Sequence, residues 1–395
     1  MLKENLQAAV DKQLPILNKI ADAIFEHPEL GPSEVMASGL LTDYLEGQGF
    51  TLTRGLAGLD TAFKAVWHNG EGGPNIGLMC EYDALAKIGH ACGHHMQGPS
   101  ILAAAVAMKE CAGPSPFTLT VYGTPGEENI SGKYIMIKNG CDFSELDFAL
   151  MMHGGPATQT DIKCLAAVKY EVEFKGKASH AALKPEDGRS SLDAMLLAFH
   201  GIECLREHVK DDVRMHYNIT DAGGTPANVV PSLTKADVYL RANETEYLET
   251  VKERFVKVLQ GAALMTETVL NYTVGKQLDN KIPNYTLNDI LMENAKALKA
   301  PCCRPPREKT GSTDFANVMH RIPGSCIRVA FVPEGTASHS DAYVAAGKSP
   351  AAYKAIEMGA KIIACAVADI LARPELLTQI KEEFQERLAQ AQKSI

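Results

Sequence analysis

The run CEYDALAKIGHACGHH, residues 80–95, decides how this chain is read. Just before it, Ile76-Gly-Leu-Met-Cys80 is a short apolar run that reads as a buried strand. Glu81 and Asp83 follow at alternate positions, and His90, Cys92, His94 and His95 crowd the next stretch. Thiolate, imidazole and carboxylate are the donors that hold zinc-like cations. At the carboxyl end of a strand they gain a rigid base and an open mouth. One histidine alone fits a solvated loop, and one cysteine a buried thiol. The cluster as a unit reads as a metal site.

A chain of 395 residues exceeds the size at which one core stops growing, so two domains are expected. With 46% apolar and 22% charged residues, the composition is that of a soluble globular protein. The formal net charge of −9 and the lack of a Lys/Arg cluster argue against a nucleic-acid partner. No apolar stretch is long enough to span a bilayer, so no membrane partner is expected. The start, MLKENLQAAV, has no apolar signal core. Ten cysteines at irregular spacings, Cys302 and Cys303 adjacent, do not look like a disulfide framework. Together these predict a reduced, cytoplasmic setting.

Leu6, Val10, Leu14, Leu17, Ile20 and Ile24 recur at helical spacing and predict a helix over 4–26 despite Pro15. Ser33 is expected to cap a second helix running to about Gly47. Strands are expected at 63–67, 76–80, 117–122 and 146–152, with an Ala-rich helix after Pro99 and a short one over 133–138. Strands alternating with helices predict an α/β layer sandwich with a largely parallel sheet. The texture changes near Leu165. VKYEVEF (168–174) alternates with period two, as a half-buried strand does. A helix over 190–208, two alternating strands, a helix from Glu244 and a strand at 269–274 follow. That order is the split βαβ, ferredoxin-like plan. The expected architecture is therefore α/β with two domains. Residues 1–164 and 279–395 form a mixed, mostly parallel sheet sandwiched by helices, and residues 165–278 form an inserted α+β domain. In the returning segment, helices are expected at 287–299, 312–320, 350–372 and 374–392, with a strand at 326–332.

Thr124-Pro-Gly-Glu127-Glu128 directly follows an expected strand. Adjacent acids point in different directions. One can ligate a metal while the other takes a proton from water. Taken alone, the competing reading of the segment is a solvated acidic turn, the less favoured of the two. GEENISGK (126–133) resembles a phosphate loop, but the spacing is one residue too long, Tyr134 follows, and two carboxylates would face the phosphates. His153 ends a strand with two glycines behind it. It could be a core histidine bonded to a carbonyl, but polar groups at successive strand ends favour a ligand. His339, in GTASHSDAY, is the distant last ligand expected if an inserted domain interrupts the metal domain.

EHPELG, EYDAL, HACGHH, GTPGEE, MMHGG, KASHAA, PANVVP and GSTDFA occur in this order. The set resembles the amidohydrolase branch of the aminoacylase and glutamate-carboxypeptidase metallopeptidases, from about residue 26 to 360. EYDAL followed by GHACGH looks most like the aminobenzoyl-glutamate hydrolase and β-alanyl-lysine dipeptidase subgroup. The resemblance implies two divalent metal ions per subunit, zinc or manganese, with cobalt or nickel as further options. Cys92 would bridge them, with His94, Glu128, His153 and His339 as the other ligands. Glu127 would be the general base and Asp83 a carboxylate that orients the site. His180, Asn228 and Arg241 would contact substrate. The inserted domain would act as a lid and form a homodimer, so His180 could act across a subunit boundary. The implied reaction is hydrolysis of the amide bond of a small N-acyl amino acid or dipeptide. An aromatic or xenobiotic amide, and an inactive binding protein on the same fold, are the alternatives. Three departures stand out. His95 replaces the usual Asp or Asn, as an extra ligand or a supporting donor. Ala86-Lys87 replaces Leu-Pro. Glu81 stands where the peptidase branch has a metal-binding histidine.

Overall fold

The apolar run before the histidine cluster is a central strand. In the computed structural model, which describes residues 2–308 and 311–392, the strands are β1 (Thr51–Leu56), β2 (Leu59–Asn69), β3 (Asn75–Cys80), β4 (Phe117–Gly123), β5 (Phe148–Gly155) and β6 (Gln159–Thr160), then β7 (Ala166–Lys175), β8 (Arg214–Asp221), β9 (Leu233–Ala242), β10 (Val269–Leu278) and β11 (Gly324–Ala330). The chain divides into two compact units. One comprises residues 2–164 and 281–390, the other residues 165–280.

The first unit holds a sheet in the order β1-β2-β4-β3-β5-β11-β6. Its four middle strands, β4, β3, β5 and β11, are parallel, and β2 and β6 flank them antiparallel. Such strands are covered on both faces and read as continuous apolar runs. FALMMHGG of β5 is buried at every position. Helices Lys3–Glu26, Gln97–Glu110 and Pro350–Ala372 pack on one another and share one core with the sheet. Alanine at Ala103, Ala104, Ala105 and Ala107 keeps the middle helix thin enough to sit between its neighbours. A second core gathers Met79, Tyr122, Met151 and Cys326 with the short helix Phe315–Met319.

Several expectations shift. Ser33 does not cap the second helix, which runs Val35–Gly47 with Glu34 before it. The Glu29 carboxylate does the capping, accepting the N–H groups of Met36 and Ala37 at 2.9 Å each. β1 has no counterpart in the sequence reading, because TLTRGL is mostly exposed and lacks a buried alternation. The helix expected at 312–320 contracts to Phe315–Met319.

The second unit is one antiparallel sheet in the order β10-β7-β9-β8, with helices Ser191–Arg206 and Thr245–Thr266 packed against it. Val168, Tyr170, Val172 and Phe174 of β7 enter its core with Phe255 and Leu259 of the second helix. This is the ferredoxin-like arrangement that the element order requires. Among the described residues, no helix is long and apolar enough to cross a membrane.

Candidate metal centre

Four motifs meet because four strands are parallel. β3 runs into Glu81-Tyr82-Asp83, β4 into Thr124–Glu128, β5 carries His153, and β11 leads into the loop bearing His339. In a parallel sheet all carboxyl ends lie on one edge, where ligands collect. Residues far apart in sequence thus become neighbours.

The donor atoms converge in two trios. Those of Cys92, His94 and His153 lie within 4.8 Å of one another, and so do those of Cys92, Glu128 and His339. Cys92 belongs to both, so one thiol stands between two adjacent donor sets. Its Sγ is 3.6 Å from His153 Nε2, and His339 Nε2 is 3.0 Å from Glu128 Oε1. A third trio, His94, Glu127 and Glu128, overlaps them. Sulfur, nitrogen and oxygen donors in threes fit a borderline-soft divalent cation with room for a water or substrate.

Several of these donors are held from behind. One oxygen of Asp83 lies 3.0 Å from His94 Nδ1, and the other accepts the Glu128 N–H at 2.9 Å. Cys92 precedes Gly93, whose φ of +83° turns the chain into His94. His339 has φ +60°, and its N–H donates to the Ala91 carbonyl at 3.0 Å. A non-glycine residue in that region is strained, and its neighbours must hold it there. Gly126, with φ +68°, donates to Glu34 Oε1 at 2.7 Å and leads directly into Glu127.

The sequence carries the same message as this geometry. The profile of peptidase family M20/M25/M40 matches residues 79–369. The chain belongs to this family. It is similar to the Xaa-Arg dipeptidase of Mus musculus, 32% identical over 99% of this chain and 94% of that protein. It is also similar to one of the subunits of the p-aminobenzoyl-glutamate hydrolase of Escherichia coli (strain K12), 31% identical over 93% of this chain and 91% of that one. A dinuclear metal-binding peptidase of the same family from Bacillus subtilis shares the fold, with a TM-score of 0.67 at 19% identity over 92% of this chain and 99% of that one. The protein is a hydrolase of C–N amide bonds.

In this M20-family hydrolase Glu81 has a buried cation of its own. Lys133 Nζ lies 2.5 Å from Glu81 Oε1 and 2.7 Å from Asp314 Oδ1, and all three side chains are fully buried. Burial alone would raise the Glu81 carboxyl, but the Lys133 ammonium and the nearby His94 hold it below the usual range. Its second oxygen accepts from Gln97 at 2.8 Å and lies 3.3 Å from His94 Nε2. Glu81 thus backs the site without joining either Cys92 trio. His95 is also outside the trios. Its Nε2 is 2.8 Å from the Gly347 carbonyl, and its ring packs on Phe25. Hydrogen bonding to Cys92 and Glu128 raises His339 to about 10, so a cation entering between them displaces a proton.

Within the second unit, His180 and Asn228 lie together. His180 bridges Val229, and the Ala181 N–H donates to the Asn228 carbonyl at 3.0 Å. Arg241 sits elsewhere, near the far end of β9, with its guanidinium 5.0 Å from the Tyr239 ring centre. Eight strand steps separate Leu233 from Arg241, roughly 26 Å. Lys133, Asp161 and Arg328 escaped the sequence reading. Only GSTDFA, which contains Asp314, gave a hint.

Proposed function

We propose that the protein hydrolyses the amide bond of a small N-acyl amino acid or dipeptide, aminobenzoyl-glutamate-like or β-alanyl-dipeptide-like. The observation that carries this reading is the pair of donor trios sharing Cys92, with Glu127 beside them. Cys92, His94 and His153 would hold one divalent cation, and Cys92, Glu128 and His339 the other. Bound there, such cations supply Lewis acidity toward a water and the scissile carbonyl. A thiolate between them favours zinc over manganese on softness, with cobalt and nickel also suited to the imidazoles. Glu127 accepts the proton of the attacking water and returns it to the leaving nitrogen. Asp83 fixes the tautomer and orientation of His94.

His180, Asn228 and Arg241 are the substrate contacts in this reading, the last offering a guanidinium fork to a carboxylate. The distance along β9 supports a homodimer in which one copy supplies His180 and Asn228 and the other Arg241. The net charge of −9 fits a small-molecule substrate rather than nucleic acid, and the free cysteines fit a cytoplasmic enzyme.

The test is Glu127→Gln. Turnover of N-acyl amino acids should fall by roughly 10²–10⁴-fold, the range of general-base catalysis, with metal content unchanged. Near-normal turnover in that variant would remove Glu127 from its role.

A further inference from the structure

One wall of the cleft gathers three cationic side chains around a single buried carboxylate. Asp161, fully buried, receives Arg328 Nε at 2.8 Å, Arg307 Nε at 3.0 Å and Lys281 Nζ at 3.1 Å. Three cationic side chains thus meet at this one carboxylate. A purely structural ion pair would need only one of these partners. These residues line the same cavity, of about 170 Å³, as Cys92, His153 and His339. Arg328 is the register neighbour of His153 across β5 and β11, and its Nη1 lies 3.0 Å from His153 Nδ1. The basic wall therefore adjoins the donor trios directly.

Arg307 is the reachable member. Its side chain is 29% exposed, against 3% for Lys281 and 15% for Arg328. It engages Asp161 through Nε, and among the described residues its two terminal nitrogens meet no side chain or carbonyl. That leaves a guanidinium edge aimed at the cavity, the geometry that pairs with a carboxylate.

We propose that Arg307, backed by Lys281 and Arg328, is an anion subsite that receives the side-chain carboxylate of the substrate's leaving amino acid. The subsite makes the enzyme selective for N-acyl derivatives of acidic residues and repels a cationic side chain. It rests on the hydrolase reading above and narrows its substrate class.

The experiment uses the metal-loaded enzyme with N-benzoyl-glutamate and N-benzoyl-glutamine, which differ only in the side-chain terminus, and N-benzoyl-lysine, whose longer side chain ends in an ammonium. The glutamate to glutamine ratio of kcat/KM should be roughly 10–100, as a charge-assisted hydrogen bond gives, with lysine lowest. Arg307→Gln should bring that ratio toward one, and Arg307→Glu should place lysine above glutamate. Equal wild-type rates for glutamate and glutamine would overturn the subsite. So would a uniform fall across all three substrates in the variants, which marks Asp161 and its partners as structural only. Should all three amides be inert, calorimetry with glutarate separates the two readings. Binding lost in Arg307→Gln upholds the subsite and removes only the assigned reaction, whereas absent or Arg307-independent binding overturns the subsite itself.

Discussion

His94 Nδ1 and Asp83 Oδ1 are 3.0 Å apart, and the other oxygen of that carboxylate takes the N–H of Glu128 at 2.9 Å. One side chain thus sets the orientation of two donors, one from each of the trios that share Cys92. Asp83→Ala should lower metal affinity or activity by roughly 10–100-fold, the usual effect of losing a carboxylate behind a ligating histidine. Asp83→Asn keeps the shape but can present an N–H to Nδ1, which drives the ring proton to Nε2, the nitrogen needed for the cation. Asn should therefore be nearly as poor as Ala. Metal titration of both variants checks this, and full affinity in Asp83→Asn would show that the tautomer is not set here.

The two trios need not fail together. His339→Ala removes one donor from the set with Cys92 and Glu128 and leaves Cys92, His94 and His153 complete. Elemental analysis after dialysis should find about one ion per chain where the parent holds about two, since a site of three protein donors depends on each. Cys92→Ala removes the shared sulfur and should empty both positions. Equal stoichiometry in the two variants would contradict the bridging role of the thiol.

The parts of the site that were legible in the sequence are those with short-range chemistry. HACGHH and GTPGEE place unusual residues side by side, and the strands before them are plainly apolar. Glu81 was harder, because its partner Lys133 lies fifty-two residues on, on the short helix Gly132–Lys138, and an isolated lysine carries no signal. Asp161, Arg307 and Arg328 are common residue types whose meeting depends on β6 and β11 pairing across the inserted unit. The Ser33 cap failed for a related reason. A good local capping residue lost to a carboxylate upstream, Glu29, whose own carbonyl accepts the Ala84 N–H at 2.8 Å. The EHPELG segment is thus a brace for the EYDAL loop, a role that no motif announces.

Lys133 is the central charge of a buried triad. Replacing it by Met leaves Glu81 and Asp314 buried without their cation. Removing one partner of a buried pair costs about 3–5 kcal/mol, and Lys133→Met should lose that much in denaturant unfolding. The double variant Lys133→Met with Asp314→Asn removes one stranded charge and should recover part of the loss. A single-variant loss under about 1 kcal/mol, the scale of an exposed pair, would mean that water reaches the triad.

Glu34 gives the fold a pH dependence of unusual sign. Its carboxyl is fully buried, accepting from Gly126 N–H at 2.7 Å and Thr61 Oγ1 at 3.1 Å. Burial, with the charge of Asp83 nearby, raises it from 4.5 to about 7. Between these values the folded chain holds a proton that the unfolded chain has released. Stability from this group is therefore present below about pH 4.5 and lost as pH rises through about 7, a loss of roughly 3 kcal/mol. Glu34→Gln keeps an acceptor for Gly126. Its amide N–H can donate to Thr61 Oγ1, whose own proton already has the Pro32 carbonyl at 3.2 Å. The variant should be more stable than the parent at pH 8 and about equal at pH 4.5. Urea midpoints across that range check this. A parent whose stability does not fall relative to Glu34→Gln between those pH values would show that the carboxyl ionises in place as an ordinary one does.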